Sequence, residues 1–239
     1  QGDVRRIAKA AQKAFGGFDT WVNNAGVGMF GRVEATPVED MRKLFESNFW
    51  SVVYGSLEAV AHLRRRGGAL INVGSAVGER AMMLQGVYST TKHAVHGFTD
   101  ALRMDLEADG APVSVTLIKP AAIDTPFARH AKNFMEREPA LPPPLYAPET
   151  VARAILHSAE KPTRDLFVGG GAKAAAALGY YAPRLTDRLM TSRLVREAQK
   201  KDGPRRLRVQ NGIDRPAGRL AERGGNPGHV AETSLYTQS

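Results

Sequence analysis

The segment that most constrains this sequence is residues 70–92, which reads LINVGSAVGERAMMLQGVYSTTK. It begins with apolar residues on both sides of an extended chain, as expected for a strand buried in a parallel sheet, and that strand ends at Ser75. Tyr88 and Lys92 follow four residues apart, so they share one face if the chain is helical there. The segment therefore predicts a hydroxyl, a phenol and an ammonium group close together at a strand end.

These three groups suit proton transfer at a carbonyl or alcohol. A phenol titrates near pH 10, and a nearby cation such as Lys92 would lower the pKa of Tyr88 toward the working range. Ser75 would hydrogen-bond the oxygen of the substrate and hold it beside the tyrosine. Tyrosine and lysine also occur at this spacing by chance, so the pair alone is a weak indication of catalysis.

Helix and strand patterns alternate along the first 170 residues. Strands are expected at residues 19–24, 69–74, 113–118 and 165–168, and helices at residues 3–15, 37–63, 86–109 and from 148 onward. Strands that are apolar on both faces and alternate with helices predict an α/β fold with a parallel sheet covered by helices. Ligands of such sheets bind at the carboxyl ends of the strands, where Asn24, Ser75 and Pro120 are expected.

The length and composition of the sequence exclude several classes of protein and of functional site. A length of 239 residues predicts one domain with room for an appendage. The absence of cysteine excludes disulfides, zinc–thiolate sites and thiol nucleophiles. The sequence has no apolar run long enough to span a membrane and no signal-peptide pattern, so a cytoplasmic location is expected.

Positive charge is concentrated in the C-terminal part of the chain. Residues 1–160 carry 18 Lys and Arg against 17 Asp and Glu, whereas residues 161–239 carry 15 against 7. We expect residues 172–200 to form a basic helical extension broken at Pro183, and residues 201–239 to form a basic, disordered tail. The tail lacks interleaved aromatic residues, so a solvated extension is favoured over a membrane or nucleic-acid contact.

The glycines at Gly26, Gly28 and Gly31 match the spacing of a dinucleotide fingerprint. That fingerprint requires a helix that begins inside the glycine turn and points its N-terminus at the pyrophosphate. Here Thr36 and Pro37 are expected to begin the helix several residues later, as N-cap and first-turn residue. The match is therefore interpreted as coincidental.

Four motifs together resemble the short-chain dehydrogenase/reductase family. They are Asn23-Asn24-Ala25-Gly26, Asn48, Ser75 and Tyr88-x-x-x-Lys92, in the order and approximate spacing of the family. The match covers about residues 1–170. The resemblance implies a Rossmann-like doubly wound parallel sheet, with residues 1–171 forming a partial catalytic domain.

Family members begin with a strand, a TGxxxGxG loop, a helix and two more strands, and this sequence has no counterpart of them. The resemblance therefore leads us to expect an N-terminally truncated chain without the first three strands. The strand at residues 19–24 would then lie at an edge, where an exposed apolar strand promotes aggregation. We expect poor expression of the chain by itself; soluble, monomeric material that melts cooperatively would contradict this.

The resemblance also implies catalytic roles. Tyr88 would be the general acid in reduction and the general base in oxidation, while Lys92 lowers its pKa and binds the ribose hydroxyls beside the nicotinamide. Ser75 would position the substrate oxygen. Asn48 would hold a water next to Lys92 in a proton relay; the alternative is a polar residue that satisfies the backbone at a helix kink.

The implied cofactor is NAD or NADP, and the residues that would select between them lie in the second strand of the family fold. Besides Tyr88 and Lys92, the implied cofactor-binding residues are Asn23, Ala25, Gly26, Pro120, Ile123 and Thr125. Ala121 stands where the family has glycine, which would tighten or shift the nicotinamide pocket.

The implied substrate is a small carbonyl or alcohol. Residues 127–146 align with the family's substrate lid, and Met82, Met83 and Leu84 would line the pocket from the other side, which favours an apolar substrate; ordinary core packing is the alternative. His93 and His96 are interpreted as surface or interface residues rather than metal ligands. The resemblance implies a homo-oligomer of the full-length protein.

The sequence thus predicts an NAD(P)-dependent oxidoreductase that uses Tyr88. A non-catalytic dinucleotide-binding or regulatory protein of the same fold, or an inactive fragment, is the alternative. The substrate, the direction of reaction and the role of the tail stay open.

Overall fold

The computed structural model describes residues 1–191, 211–216, 221–226 and 228–234. Its α-helices are α1 Gly2–Phe15, α2 Val38–Phe45, α3 Ser51–Arg66, α4 Gly86–Ala108, α5 Phe127–His130, α6 Pro148–Glu160, α7 Gly170–Tyr181 and α8 Pro183–Leu189. Its strands are β1 Thr20–Asn23, β2 Met29–Phe30, β3 Gly68–Val73, β4 Val113–Pro120, β5 Lys132–Asn133, β6 Leu145–Tyr146, β7 Asp165–Val168 and β8 Val230–Ala231.

The main sheet is parallel and has the strand order β1-β3-β4-β7. Ile71 of β3 pairs with Val22 of β1 on one side and with Thr116 of β4 on the other. Each pair of neighbouring strands is connected through a helix, as a parallel sheet requires. The predicted α/β class and the four predicted strands are confirmed.

Helices cover both faces of this sheet. Leu70 and Val115 pack in one cluster with Leu63 of α3 and Leu106 of α4, because they point to the same face. The neighbouring strand residues point the other way, and Ile71 and Ile118 pack against α6. Residues of β3 and β4 are therefore buried on both sides, which explains their continuous hydrophobic runs.

Strand β1 lies at one edge of the sheet among the described strands, as expected from the sequence. Val22 is exposed there. The apolar side of α1 is also largely uncovered, because Ile7 and Phe15 are exposed and only Ala8 is buried. This side of the fold contributes little to the core.

The long helix expected at residues 37–63 contains an irregular turn. Helices α2 and α3 are joined by a π-helical turn, Glu46–Trp50, which is a feature frequent at functional sites. The predicted N-cap is wrong: Pro37 occupies the N-cap position, and the Thr36 hydroxyl donates to the carbonyl of Arg32 instead.

The glycine-rich stretch before α2 does not open a helix. Gly28 leads into the short strand β2, and Gly31 donates its N–H to the carbonyl of Leu84. Helix α2 begins at Val38, well after the last glycine. The interpretation of this glycine pattern as coincidental agrees with this geometry.

Two helices follow the last sheet strand. Helices α7 and α8 are separated at Ala182, so the predicted break before Pro183 is present. An ion pair between Arg80 and Asp187 attaches α8 to the loop that precedes α4. The remainder of the predicted extension, residues 192–200, lies outside the described residues.

The described segments beyond residue 210 contact the domain, although the sequence predicted a disordered tail. Strand β8 pairs in parallel with β6, and Gly224 donates its N–H to the carbonyl of Asp124. Asp214 forms an ion pair with Lys132 at 2.9 Å. These contacts hold backbone and side chains to residues 124–146, which a composition rich in Gly, Pro and Arg did not indicate; the other tail residues lie outside the described part.

Among the described residues, no helix combines the length and the hydropathy needed to cross a lipid bilayer.

Candidate active site

A cavity of about 580 Å³ opens at the carboxyl ends of β3 and β4. Ser75, Tyr88 and Lys92 all line it, together with Met82 and Phe127. Parallel sheets of this kind bind ligands at this edge. Three of the four residues that the sequence singled out for catalysis thus meet in one cavity.

Ser75 reaches the cavity because β3 ends at Val73, two residues before it. Its hydroxyl accepts a hydrogen bond from the N–H of Val77 at 3.3 Å, which caps the short 3₁₀ turn Ala76–Gly78. The buried strand and this cap fix the serine backbone at the rim of the sheet. The same hydroxyl forms a hydrogen bond with Tyr88, so the serine and the phenol are direct neighbours in the cavity.

Tyr88 and Lys92 lie on the buried face of α4, one turn apart. The tyrosine is 8% exposed and the lysine 5% exposed. Lys92 Nζ lies 5.8 Å from the centroid of the Tyr88 ring and donates to the carbonyl of Val73 at 3.0 Å. The ammonium group is therefore held between the tyrosine and the end of β3.

Burial dominates the pKa values of this pair. It raises the pKa of Tyr88 to about 12, although a hydrogen bond with Ser75 acts in the opposite direction. It lowers the pKa of Lys92 to about 8. The sequence suggested that Lys92 lowers the pKa of the phenol, whereas in this structure loss of hydration is the largest influence on that pKa and raises it. The phenol is protonated at neutral pH.

The lowered pKa of Lys92 predicts how stability depends on pH. Above about pH 8 the folded protein releases a proton that the unfolded lysine keeps until its ordinary pKa of 10.5. The unfolded state then binds more protons, so the free energy of unfolding rises with pH in this window. Replacing Lys92 by Met removes this contribution.

We therefore expect the free energy of unfolding of the Lys92→Met variant, relative to wild type, to fall by about 2 kcal/mol between about pH 8 and pH 10. Urea denaturation at both pH values measures the difference. The opposing contribution of Tyr88, whose pKa is raised, is present in both proteins. A difference independent of pH would contradict a depressed pKa at Lys92.

Asn48 is fully buried in the π-helical turn, and its carboxamide is occupied by protein partners. The oxygen accepts from the N–H of Val27 at 2.8 Å, while the nitrogen donates to the Val27 carbonyl at 2.9 Å and to the hydroxyl of Thr91 at 3.2 Å. These bonds fix the loop after β1 against α4. They correspond to the structural alternative, and the proton relay stays a prediction.

Asn23 faces the interior rather than the cavity. Its carboxamide accepts from the Trp21 indole at 2.9 Å and donates to Ser56 at 3.1 Å and to Asn72 at 2.8 Å. Neither Asn23 nor Ala25 lines the cavity, whereas Gly26 does. The side chain of Asn23 thus ties β1 to β3 and α3, and its contact with a cofactor stays a prediction.

The loop after β4 forms another part of the cavity wall. Pro120, Ile123 and Thr125 line it, and so does Ala121, which stands where the family has glycine. Sequence reasoning missed Asp124, a buried residue between them that accepts from the side chain of Asn226 at 2.7 Å. A segment remote in sequence therefore supports this loop.

The predicted lid and the methionine segment only partly match the cavity. Residues 127, 141–144 and 148 contribute to its wall, as does Met82. Met83 and Leu84 instead pack in a cluster with Phe30 and Met135. Met82 therefore fits the predicted lining of the pocket, whereas Met83 and Leu84 fit the alternative of core packing.

His96 has carboxylate neighbours that its sequence surroundings did not fully indicate. Potential ligand atoms of His96, Asp100 and Asp165 lie within 4.8 Å of one another. Both carboxylates already have cationic partners, since Arg164 contacts Asp100 at 3.0 Å and Lys119 contacts Asp165 at 3.3 Å. We interpret this group as an ion-pair network.

The fold and the cavity define an α/β enzyme with serine, tyrosine and lysine at the carboxyl ends of its strands. The family model for short chain dehydrogenase matches residues 1–136. The sequence is 46% identical over 240 residues to the uncharacterized oxidoreductase YxnA of Bacillus subtilis strain 168, covering 99% of this chain and 67% of YxnA. The chain belongs to the short-chain dehydrogenase family and is an oxidoreductase.

Two solved structures agree with this family assignment. A short chain dehydrogenase from Burkholderia cenocepacia J2315, in complex with NADP, matches with a TM-score of 0.64 and 28% identity over 79% of this chain and 77% of that one. A short-chain dehydrogenase from Streptomyces avermitilis matches with a TM-score of 0.65 and 26% identity over 82% of this chain and 78% of that one. The chain thus spans about two thirds to four fifths of the length of these relatives.

Proposed function

We propose that this chain transfers a hydride between a nicotinamide cofactor, NAD or NADP, and a carbonyl or alcohol substrate, with Tyr88 as the general acid and base. The observation that carries the proposal is the convergence of Ser75, Tyr88 and Lys92 on one cavity at the carboxyl ends of β3 and β4. The NADP bound to the Burkholderia relative supports the class of cofactor.

The residues around Lys92 fit such a cofactor. A Cβ on Gly26 would lie 3.4 Å from Asn48 Oδ1 and 3.7 Å from Lys92 Nζ, so the glycine leaves open space beside both groups. An ammonium group has three N–H donors, and the carbonyl of Val73 uses one of them. The remaining donors would bind the hydroxyls of a ribose.

The loop after β4 would hold the nicotinamide end, through Pro120, Ile123 and Thr125. The cofactor supplies the hydride chemistry when bound. The part of the chain that would hold the pyrophosphate is not identified among the described residues, and the glycines before α2 do not form a helix N-terminus for it.

The protein's own contribution is proton transfer and orientation. In reduction, the substrate carbon gains a hydride while its oxygen takes the proton of the Tyr88 hydroxyl. Ser75 donates a hydrogen bond to that oxygen, and the positive charge of Lys92 stabilises the phenolate that remains. In oxidation the same groups act in reverse, and the phenolate accepts the alcohol proton.

With its pKa at about 12, Tyr88 carries its proton at neutral pH and can donate it to a substrate oxygen. In oxidation the same residue would act as the base once it has lost that proton.

A homo-oligomer and a cytoplasmic location complete the proposal. Trp50, Leu57 and Met104 are exposed on or beside the helices that carry Asn48 and Tyr88. Apolar side chains on these helices offer a surface on which a second copy could pack. Neither a membrane nor a nucleic acid is part of the proposed function.

The test is a turnover screen of the full chain. NADH and NADPH are each supplied with a panel of aliphatic and aromatic aldehydes and ketones, and loss of the reduced cofactor is followed by absorbance at neutral pH. Transfer of deuterium from C4-deuterated cofactor to the alcohol product would establish hydride transfer. Absence of transfer with every carbonyl and both cofactors would reject the proposed function for this chain.

A further inference from the structure

The carboxamide of Gln85 is a polar group of the cavity that has no hydrogen-bond partner among the residues described by the structure. Gln85 lines the cavity and is 8% exposed. Across the described part of the chain, no hydrogen bond reaches its carboxamide, although Asn23, Asn48 and Asn72 all use theirs. The amide atoms of Gln85 are not among the fully buried unpaired atoms of the described residues, so they face the open cavity, where a ligand can reach them.

The position of Gln85 places it beside the proposed acid. It is the N-cap residue of α4, and Tyr88 follows three residues later. Both side chains line the same cavity. A small molecule whose oxygen meets the phenol would therefore present neighbouring atoms to the carboxamide.

The backbone at Gln85 is tightly held. Its N–H donates to the carbonyl of Met82 at 3.1 Å, and its own carbonyl accepts from Ser89 at 2.7 Å. The preceding residue, Leu84, has a φ of 61°, a conformation that is uncommon for a branched side chain and costs free energy. The backbone is therefore locally strained at Leu84, immediately before Gln85.

Most of the cavity wall is apolar. Met82, Phe127, Leu141 and Met190 line it with Gln85, while Asn24 and Arg80 are among its polar residues. In such a wall a carboxamide influences which polar groups of a substrate are tolerated, because it can donate and accept but an unpaired polar group in the wall is costly. Gln85 therefore favours a substrate that carries a polar group on an apolar body.

We propose that Gln85 is a specificity-determining residue that binds a second oxygen of the substrate, on the carbon next to the reacting carbonyl. The substrate class is an α-hydroxyketone with an apolar substituent, reduced to a 1,2-diol. This inference rests on the proposed function. Hydride from the nicotinamide goes to the carbonyl carbon, the proton of Tyr88 goes to its oxygen, and the neighbouring hydroxyl is unchanged.

The test compares 2-hydroxyacetophenone with propiophenone, which differ by a hydroxyl in place of a methyl group. The variant is Gln85→Met, which keeps the length of the side chain and removes its hydrogen bonds. We expect the preference of wild type for the hydroxyketone, as the ratio of kcat/KM values, to fall about 10-fold or more in the variant. The change should lie mainly in KM for the hydroxyketone, with propiophenone altered less than about twofold.

Met82→Leu is the matched control, since it changes a cavity residue that has no hydrogen-bonding group, and it should affect both ketones alike. An unchanged ratio in Gln85→Met would overturn the inference and leave the proposed function standing. So would failure to reduce either ketone while other carbonyls are reduced. If no carbonyl is reduced at all, both the inference about Gln85 and the proposed function are rejected.

A binding measurement on the wild-type chain tests the inference even if the Gln85→Met variant does not fold. Ligand-observed NMR on the wild-type chain should show tighter binding of 2-hydroxyacetophenone than of propiophenone, and Gln85→Leu should remove the difference. Equal binding of the two ketones to the wild-type chain would overturn the inference independently of turnover.

Discussion

Replacing Tyr88 by Phe should reduce carbonyl turnover by about 1,000-fold or more, since a positioned general acid typically contributes 10²–10⁴-fold and no other hydroxyl can replace this proton. Ser75 also brings a hydroxyl into the cavity, but an aliphatic alcohol is too weak an acid to take over this role. Phenylalanine keeps the ring and its contact with Phe127, whose centroid lies 5.3 Å away. The loss should appear in kcat, measured by steady-state kinetics.

Two further measurements separate a catalytic role from a structural one. The melting temperature of Tyr88→Phe should stay close to that of wild type, because the substitution removes one hydroxyl and keeps the buried ring in place. Binding of the reduced cofactor should also persist, since Lys92 and the loop after β4 are unchanged. Retained turnover in this variant would refute the assignment of Tyr88.

Tyr146→Phe provides the matched control. Tyr146 is equally buried, at 8% exposed, but it lies in β6 and does not line the cavity. Removing its hydroxyl should leave turnover within about twofold, because it contributes no group to the reacting atoms. Comparable losses in both variants would point to a general effect of removing a buried hydroxyl.

The parts of the fold and site that could be predicted from sequence are those with a local pattern. The apolar run before Ser75 predicted β3, and the spacing of Tyr88 and Lys92 predicted their shared helix face. Both follow from the periods of strand and helix, which depend on neighbouring residues only. The same reasoning placed Ser75 and Pro120 at the carboxyl ends of adjacent strands.

What could not be predicted depends on contacts between distant residues. Asn23 meets Asn72, and Asp124 meets Asn226, across long stretches of sequence. The pKa of Tyr88 could not be anticipated either, because it depends on burial by surrounding elements rather than on the lysine one turn away. Gln85 carried no local signal, since only the folded cavity reveals that its amide has no partner.

The buried network around Asn23 depends on a glycine that sequence reasoning did not single out. Asn72 is fully buried and donates to Thr99 at 3.0 Å while it accepts from Asn23. Gly55, in α3, lies directly against Asn23. A Cβ at this position would overlap Asn23 Oδ1, and would lie 2.9 Å from Asn23 Cγ and 3.1 Å from Trp21 Nε1.

Gly55→Ala should therefore lower the free energy of unfolding by about 3–4 kcal/mol. Overpacking costs about 1–3 kcal/mol, and displacing Asn23 leaves buried partners without a hydrogen bond at about 1–3 kcal/mol each. These costs outweigh the gain of up to about 1 kcal/mol that alanine brings to a helix interior. Urea denaturation of the variant and wild type measures the difference.

Gly97→Ala tests the same substitution without the clash. Gly97 lies in α4, is exposed, and has no heavy atom within 4 Å of a Cβ placed on it. Helix propensity alone should then act, and we expect this variant to be more stable than wild type by about 0.5–1 kcal/mol. Opposite signs at Gly55 and Gly97 would show that the contact with Asn23, and not the added methyl group itself, determines the loss. A Gly55→Ala variant as stable as wild type would contradict this prediction. It would mean that α3 can shift to accommodate the methyl group without loss of stability, and that the hydrogen-bond network between β1 and β3 is not rigid.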